Sequence, residues 1–73
     1  MYKYRIPRSV ELTMEQLREI PSVLENADFE NDDDGRERPP IFELKQVGSY
    51  GKYVFRVNRS RKVVTLLEII RNA

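Results

Sequence analysis

The stretch that decides the fold is IFELKQV-GSYG-KYVFRVN, residues 41–58. On each side of the central GSYG, apolar side chains occupy every second position, which is the period of a strand with one buried face. These side chains are Phe42, Leu44, Tyr53, Phe55 and Val57. Because a short glycine-containing connection joins the two segments, we predict a β-hairpin with strands over 41–47 and 52–58.

The segment that follows the hairpin, residues 62–70, is apolar at positions that fit either a strand or a helix. Val63, Thr65, Leu67 and Ile69 alternate as in a strand, but the segment's apolar residues also fit a helical spacing. The many β-branched residues and the preceding hairpin favour a strand, with a helical end left open as an alternative.

The region before the hairpin is acidic and polar. Between residues 28 and 38 the only apolar side chain is Phe29, so the segment is predicted to be a mobile loop, which the pair Pro39-Pro40 ends. Glu30, Asp32 and Asp34 match the first ligand positions of a calcium loop, but the twelfth position is Ile41 and not glutamate. No metal or cofactor site is therefore assigned.

The N-terminal residues predict a strand followed by a helix. Apolar residues recur at every second position over 2–6 and again at 10–12, while Pro7 suggests that the strand is divided into two short pieces. Thr13 and Gln16 have the spacing of a capping box, so a helix begins at about Met14. Its predicted buried face consists of Met14, Leu17, Ile20 and Leu24. Pro21 predicts a kink, or a short helix and a second turn, before an end near residues 26–27.

Together these elements predict one α+β domain over residues 1–73. The order is β-α-β-β-β, with one kinked helix packed on a small antiparallel sheet of three to four strands. The acidic loop, residues 28–38, lies within this single domain.

Composition excludes most catalytic chemistry. The chain of 73 residues has no Cys and no His, which excludes thiolate nucleophiles, structural zinc sites and acid-base catalysis by imidazole. No apolar run exceeds three residues, so no membrane span is expected. We therefore expect a cytoplasmic protein that is not an enzyme, has no catalytic residues and acts by binding.

Charge is segregated along the chain although the net charge is only +1. Residues 1–12 carry +2, residues 13–27 carry −2, residues 28–38 carry −4 and residues 39–73 carry +5. Lys52, Arg56, Arg59, Arg61 and Lys62 gather around one hairpin and form either a cationic binding surface or a guard against edge-to-edge aggregation. A nucleic-acid-binding module is possible, but the low net charge disfavours it.

The closing strand pair resembles that of the RelE/ParE-type toxins, on the residues GKYVFRV at 51–57 and KVVTLLEI at 62–69. This resemblance implies mRNA cleavage on the ribosome or inhibition of gyrase. The helical hairpin typical of that family is not evident in the sequence, so no catalytic residue is assigned from it. A RelE-like toxin is kept as the alternative from the enzyme class.

In size, absence of His and Cys, and segregated charge, the chain also resembles small phage-encoded regulators of the Xanthomonas phage type. That resemblance implies binding to host RNA polymerase, inhibition of transcription and a role in antitermination. We expect a protein that is a monomer when free and that contacts the polymerase through its N-terminal strand and basic hairpin. The partner-binding residues predicted are Tyr4, Arg5, Ile6, Arg8, Arg56, Arg59, Arg61 and Lys62.

Overall fold

The structure is a computed structural model that describes residues 1–71. Its element order is the predicted β-α-β-β-β. The elements are β1 (Lys3–Arg5), α1 (Met14–Glu25), β2 (Ile41–Gly48), β3 (Gly51–Asn58) and β4 (Val63–Ile70). The α+β prediction is confirmed, and the last element is a strand.

The four strands form one sheet in the order β1-β4-β3-β2. The meander β2-β3-β4 is antiparallel as predicted, but β1 pairs with β4 in parallel, so the sheet is mixed. The connection explains this difference. β2 and β4 are both antiparallel to β3 and therefore run in the same direction, and α1 joins β1 to β2 as a crossover, which connects parallel strands.

The N-terminal strand is shorter than its alternating pattern predicts. β1 ends at Arg5, and beyond it the backbone N–H of Val10 donates to the carbonyl of Pro7 at 3.1 Å in a turn. Proline has no N–H to continue the strand ladder. Ile6, Val10 and Leu12 still pack against the core from this irregular segment.

Helix α1 begins where the capping box predicts. The N–H of Gln16 donates to the Thr13 hydroxyl at 3.1 Å, and the N–H of Thr13 donates to the Gln16 side-chain oxygen at 2.8 Å. Pro21 lies inside the helix, which continues as one element to Glu25 with Asn26 as its C-cap. Of the two alternatives at Pro21, the single helix is the one observed.

The core lies between α1 and one face of the sheet. Ile20 and Val23 supply the buried helix residues, and Leu24 packs against the core beside them. The predicted helix face is therefore confirmed at Ile20 and Leu24 and wrong at Met14, which is 59% exposed, and at Leu17, which is 38% exposed. Both of these lie nearer the start of the helix, whereas the buried pair follows later. The sheet residues buried beneath them are Leu44, Tyr53, Phe55, Val57, Val64 and Leu66.

A β-bulge in β4 changes which residues face the core. Phe55 lies opposite Leu66, but Val54 lies opposite Glu68, so Leu67 is the extra residue. Leu66 and Ile69 pack on the helix side, and the bulge therefore places Leu67 and Glu68 on the opposite side. A simple alternation along residues 62–70 does not predict this shift.

The acidic loop carries a set of local hydrogen bonds. Asp28 accepts from the N–H groups of Glu30 and Asn31, and Asp32 accepts from those of Asp34 and Arg36. The one apolar residue of the loop, Phe29, packs on Tyr2 with ring centroids 4.5 Å apart. These contacts fix a conformation for the loop, and its mobility stays a prediction.

Glu19 of α1 joins the helix to the β2-β3 turn. Its carboxylate accepts from the hydroxyl of Tyr53 at 2.7 Å and from the N–H groups of Ser49 at 2.6 Å and Tyr50 at 3.2 Å. The hydrogen bond from the Tyr53 hydroxyl contributes most to holding the pKa of Glu19 below its ordinary value. The backbone N–H groups of Ser49 and Tyr50 lower this pKa further, whereas desolvation raises it. Burial, followed by the bond to Glu19, raises the pKa of Tyr53. Glu19 thus ties α1 to the β2-β3 turn and to β3 by three hydrogen bonds.

Candidate protein-binding face

The side of the sheet opposite α1 is not covered by another element among residues 1–71. Register places alternate residues of all four strands on this side, which we name the open face. Its residues are Lys3 and Arg5 on β1; Ile41, Glu43, Lys45 and Val47 on β2; Lys52, Val54, Arg56 and Asn58 on β3; and Val63, Thr65, Leu67, Glu68 and Ile70 on β4.

The open face is basic. It carries five cationic side chains against two carboxylates, Glu43 and Glu68. The cations are Lys3, Arg5, Lys45, Lys52 and Arg56. Within the described residues the only ion pairs closer than 4.0 Å are made by Arg59, which lies outside this face, so the five cations have no such partner. Their charge is available to a partner of opposite sign.

Apolar groups are interspersed among these cations. Ile41 is 58% exposed, Val47 is 73% exposed and Ile70 is 45% exposed. Val54, at the centre of the face, is buried but does not belong to the core cluster beneath the helix. A face with apolar residues set among cations combines the two contributions typical of protein-protein interfaces, apolar anchors and charge complementarity.

The predicted N-terminal contact residues divide between the two sides of the sheet. Arg5 lies on the open face, whereas Tyr4 is in register with the buried Val64 and so lies on the helix side, 46% exposed. Ile6 is half-buried against the core, and Arg8 is exposed in the turn beyond β1. Sequence alternation separates Tyr4 from Arg5, because adjacent residues of a strand point to opposite faces.

The predicted hairpin residues also differ from one another. Arg56 is exposed on the open face, but Arg59 turns back to the acidic loop. Its guanidinium donates to the carbonyl of Arg38 and to the Glu30 carboxylate at 2.7 Å, with Glu37 3.7 Å away. The acidic loop thus neutralises one hairpin arginine, whose side chain is only 19% exposed.

Arg61 and Lys62 lie in the exposed turn between β3 and β4. The N–H of Arg61 donates to the Asn58 side chain at 2.9 Å, and Lys62 adopts a left-handed φ of 56°. The carbonyl of Lys62 accepts from the N–H of Lys3 at 2.9 Å. The N-terminal strand and the basic hairpin, predicted to act together, are therefore neighbours at the same end of the sheet.

Several residues of the open face were missing from the predicted site. Lys3 and Lys45 are cationic, and Val47 and Ile70 are exposed apolar residues. The sequence does contain a signal for the open-face residues of β2 and β3. They occupy the positions that alternate with the buried Leu44 and Phe55. The β4 members were harder to assign because of the bulge.

Elsewhere the described residues offer little for small-molecule chemistry. A groove of about 780 Å³ lies between the start of α1 and the β2-β3 turn. Gln16 in its wall is already bonded to the carbonyl of Tyr50 at 3.0 Å and to Thr13. No group of three or more acidic side chains within residues 1–71 is placed to hold a metal ion. The one helix in the same range is too short and too polar to cross a bilayer.

Comparison with known proteins gave no match to a protein-family model, to a curated protein or to a solved structure. The basic open face, with its exposed apolar residues, is therefore the feature from which a function is inferred.

Proposed function

We propose that this protein is a non-enzymatic regulator that binds host RNA polymerase and inhibits transcription in the cytoplasm of the host cell. The observation that carries the binding function is the open face, a sheet surface with five cations and exposed Ile41, Val47 and Ile70. The polymerase as partner comes from the sequence resemblance to small phage-encoded regulators. Modulation of antitermination belongs to the same proposal.

A protein partner fits this surface better than a purely electrostatic one. Cations raise the rate of encounter with an acidic surface, while affinity depends on a few desolvated anchors near the centre of the contact. Ile70 and Val47 are exposed apolar groups that both lie in register with Lys52, and their burial would supply such anchors. Arg5 and Arg56 supply charge in another row of the same face, where both residues are in register with Thr65. The contact is proposed to extend from the open face to the exposed Arg61 and Lys62.

The test is capture of polymerase from bacterial lysate by the tagged protein, combined with transcription in vitro. The wild-type chain should retain the polymerase subunits and reduce promoter-dependent transcript. The double variant Arg5→Glu/Arg56→Glu should lose both effects while its thermal unfolding stays close to wild type. The matched control is Arg18→Glu on the exposed side of α1, which should behave as wild type. A wild-type chain that neither retains polymerase nor changes transcription would overturn the proposal.

A second candidate, nucleic-acid binding, is favoured by one observation, the five cations of the open face that lack an ion-pair partner. Phosphate contacts release counterions, so the affinity would fall steeply with salt. Titration of labelled DNA and RNA at several salt concentrations distinguishes the two functions. Affinity for nucleic acid that is weak and nearly independent of salt would remove this second candidate.

A further inference from the structure

The outer edge of β2 has no partner strand among the described residues. β2 spans Ile41–Gly48, lies last in the strand order and pairs only with β3, in a register without interruption. Edge strands usually carry a proline, a bulge or several charges that prevent pairing with another chain. β2 has neither a proline nor a bulge, and its only cation is Lys45.

The residues that present their backbone groups to this edge can be identified. The N–H of Arg59 donates to the carbonyl of Pro40 at 2.8 Å, just before the strand begins. The backbone N–H and C=O groups of successive residues in an antiparallel strand point alternately to its two neighbours. In β2 the backbone groups of even-numbered residues therefore bond to β3, and those of odd-numbered residues point toward the free edge. The outward residues are Ile41, Glu43, Lys45 and Val47, whose side chains are all exposed on the open face.

The side chains of these four residues match those of a second copy of β2 that runs in the opposite direction. When two copies of β2 run antiparallel about a two-fold axis at Leu44, Ile41 lies opposite the partner's Val47 and Glu43 lies opposite the partner's Lys45. Each pair occurs twice by symmetry, and all of the paired residues are ones that bond outward. Opposite charges and apolar side chains in direct register both stabilise a strand pair.

From this register we propose that two copies of the chain associate through β2 into a symmetric dimer with one continuous sheet. The occupant of the β2 edge is thus a second copy of this protein. The dimer departs from the monomer expected from the sequence. It joins the two open faces side by side, so the proposed partner would meet a surface twice as wide.

Neighbouring registers do not offer the same match. A shift by two residues in one direction sets Glu43 against the partner's Glu43, and in the other direction sets Lys45 against the partner's Lys45. A shift by one residue places an odd-numbered residue, whose backbone groups face the free edge, opposite an even-numbered residue, whose backbone groups already bond to β3. The hydrogen bonds between the two copies then cannot form. The sequence of β2 therefore specifies one register for self-pairing.

The test is sedimentation velocity and light scattering of the full chain from about 1 μM to about 1 mM, a range set by typical weak to moderate dimer affinities. Wild type should pass from monomer to dimer within this range. Glu43→Lys and Lys45→Glu should each weaken the dimer about tenfold or more, because each places like charges in both symmetric pairs. Mixing these two variants should restore association as a heterodimer, since every reversed pair then has opposite signs again.

Glu68→Lys serves as the matched control, because it makes the same charge change on the same face but on β4. Its self-association should equal that of wild type, and circular dichroism should show that all variants fold. A wild-type chain that stays monomeric throughout, or single variants whose mixture does not associate, would overturn the dimer. Polymerase capture is measured separately on Arg5 and Arg56, so failure of either proposal is distinguishable from failure of the other.

Discussion

The hydroxyl of Tyr53 on β3 lies 2.7 Å from the carboxylate of Glu19 on α1 and donates a hydrogen bond to it. The same carboxylate accepts from the backbone of Ser49 in the β2-β3 turn. One side chain therefore connects the helix to the inner strand β3 and to the turn of the β2-β3 hairpin. Since that hairpin supplies half of the strands of the open face, Glu19 also orients the proposed binding surface.

Replacement of Glu19 with Gln should reduce the pH dependence of stability. The pKa of Glu19 is lowered in the folded protein, so its ionised form stabilises the fold above the ordinary value of 4.5. That contribution is lost as the pH falls from about this value through the lowered folded pKa. Urea unfolding across this window should show a shallower decline for Glu19→Gln than for wild type. The control Glu11→Gln, at an exposed carboxylate, should keep the wild-type slope.

Substitution of Gly48 with Ala should destabilise the protein. A Cβ atom at this position would lie 2.8 Å from Cε1 of Tyr53 and would also meet the Glu19 carboxylate, so the helix-hairpin contact must shift. We expect a loss of about 1–3 kcal/mol in the free energy of unfolding, as for other overpacked sites. Val47→Ala, at the neighbouring residue that is 73% exposed, should change it by less than about 0.5 kcal/mol when both proteins are measured at about 1 μM, where the proposed dimer is dissociated. Equal effects at the two positions would contradict the predicted clash.

Loss of Arg59 should loosen the acidic loop without unfolding the sheet. Arg59 is the residue of the hairpin that bonds to Glu30 and to the carbonyl of Arg38. In Arg59→Ala, amide hydrogen exchange within residues 28–38 should speed up while exchange in β3 is unchanged. Arg61→Ala, in the same turn but without a contact to the loop, is the matched control. If both variants exchange alike, the loop is not held by Arg59.

Substitutions of the two helix residues Ile20 and Met14 should have very different effects on the free energy of unfolding. Ile20 is fully buried, and Ile20→Ala should cost about 2–5 kcal/mol through lost contacts and the cavity that remains. Met14 is 59% exposed, so Met14→Ala should cost less than about 1 kcal/mol. Chemical denaturation measures both. A comparable loss for Met14→Ala would indicate that Met14 is buried, as the sequence predicted, and would contradict its observed exposure.

Local patterns were sufficient for much of this fold. The alternation around Tyr53 and Phe55 predicted the central hairpin and its buried side, and the Thr13-Gln16 spacing predicted the start of the helix. These features depend on residues close together in sequence. For the same reason, Arg5 and Arg56 were identified as exposed cations before their common face was known.

The remaining features depend on contacts between distant segments. The pairing of β1 with β4, the bulge at Leu67 and the bond between Glu19 and Tyr53 have no periodic signal in the sequence. The alternation of residues 2–6 specifies a strand but neither its neighbour nor its direction. The separation of Arg59 from the other hairpin cations likewise required the position of Glu30 to be known.

The parallel pairing of β1 with β4 also dictates when the N-terminal residues can adopt their final structure. Tyr4 lies in register with Val64, so β1 has no strand to join until the residues of β4 have been synthesised. A loop of that length closes slowly compared with the neighbouring hairpins, which form from local contacts. We therefore expect the meander to form before β1 pairs with β4, so that Lys3 and Arg5 join the open face only after the three other strands have paired.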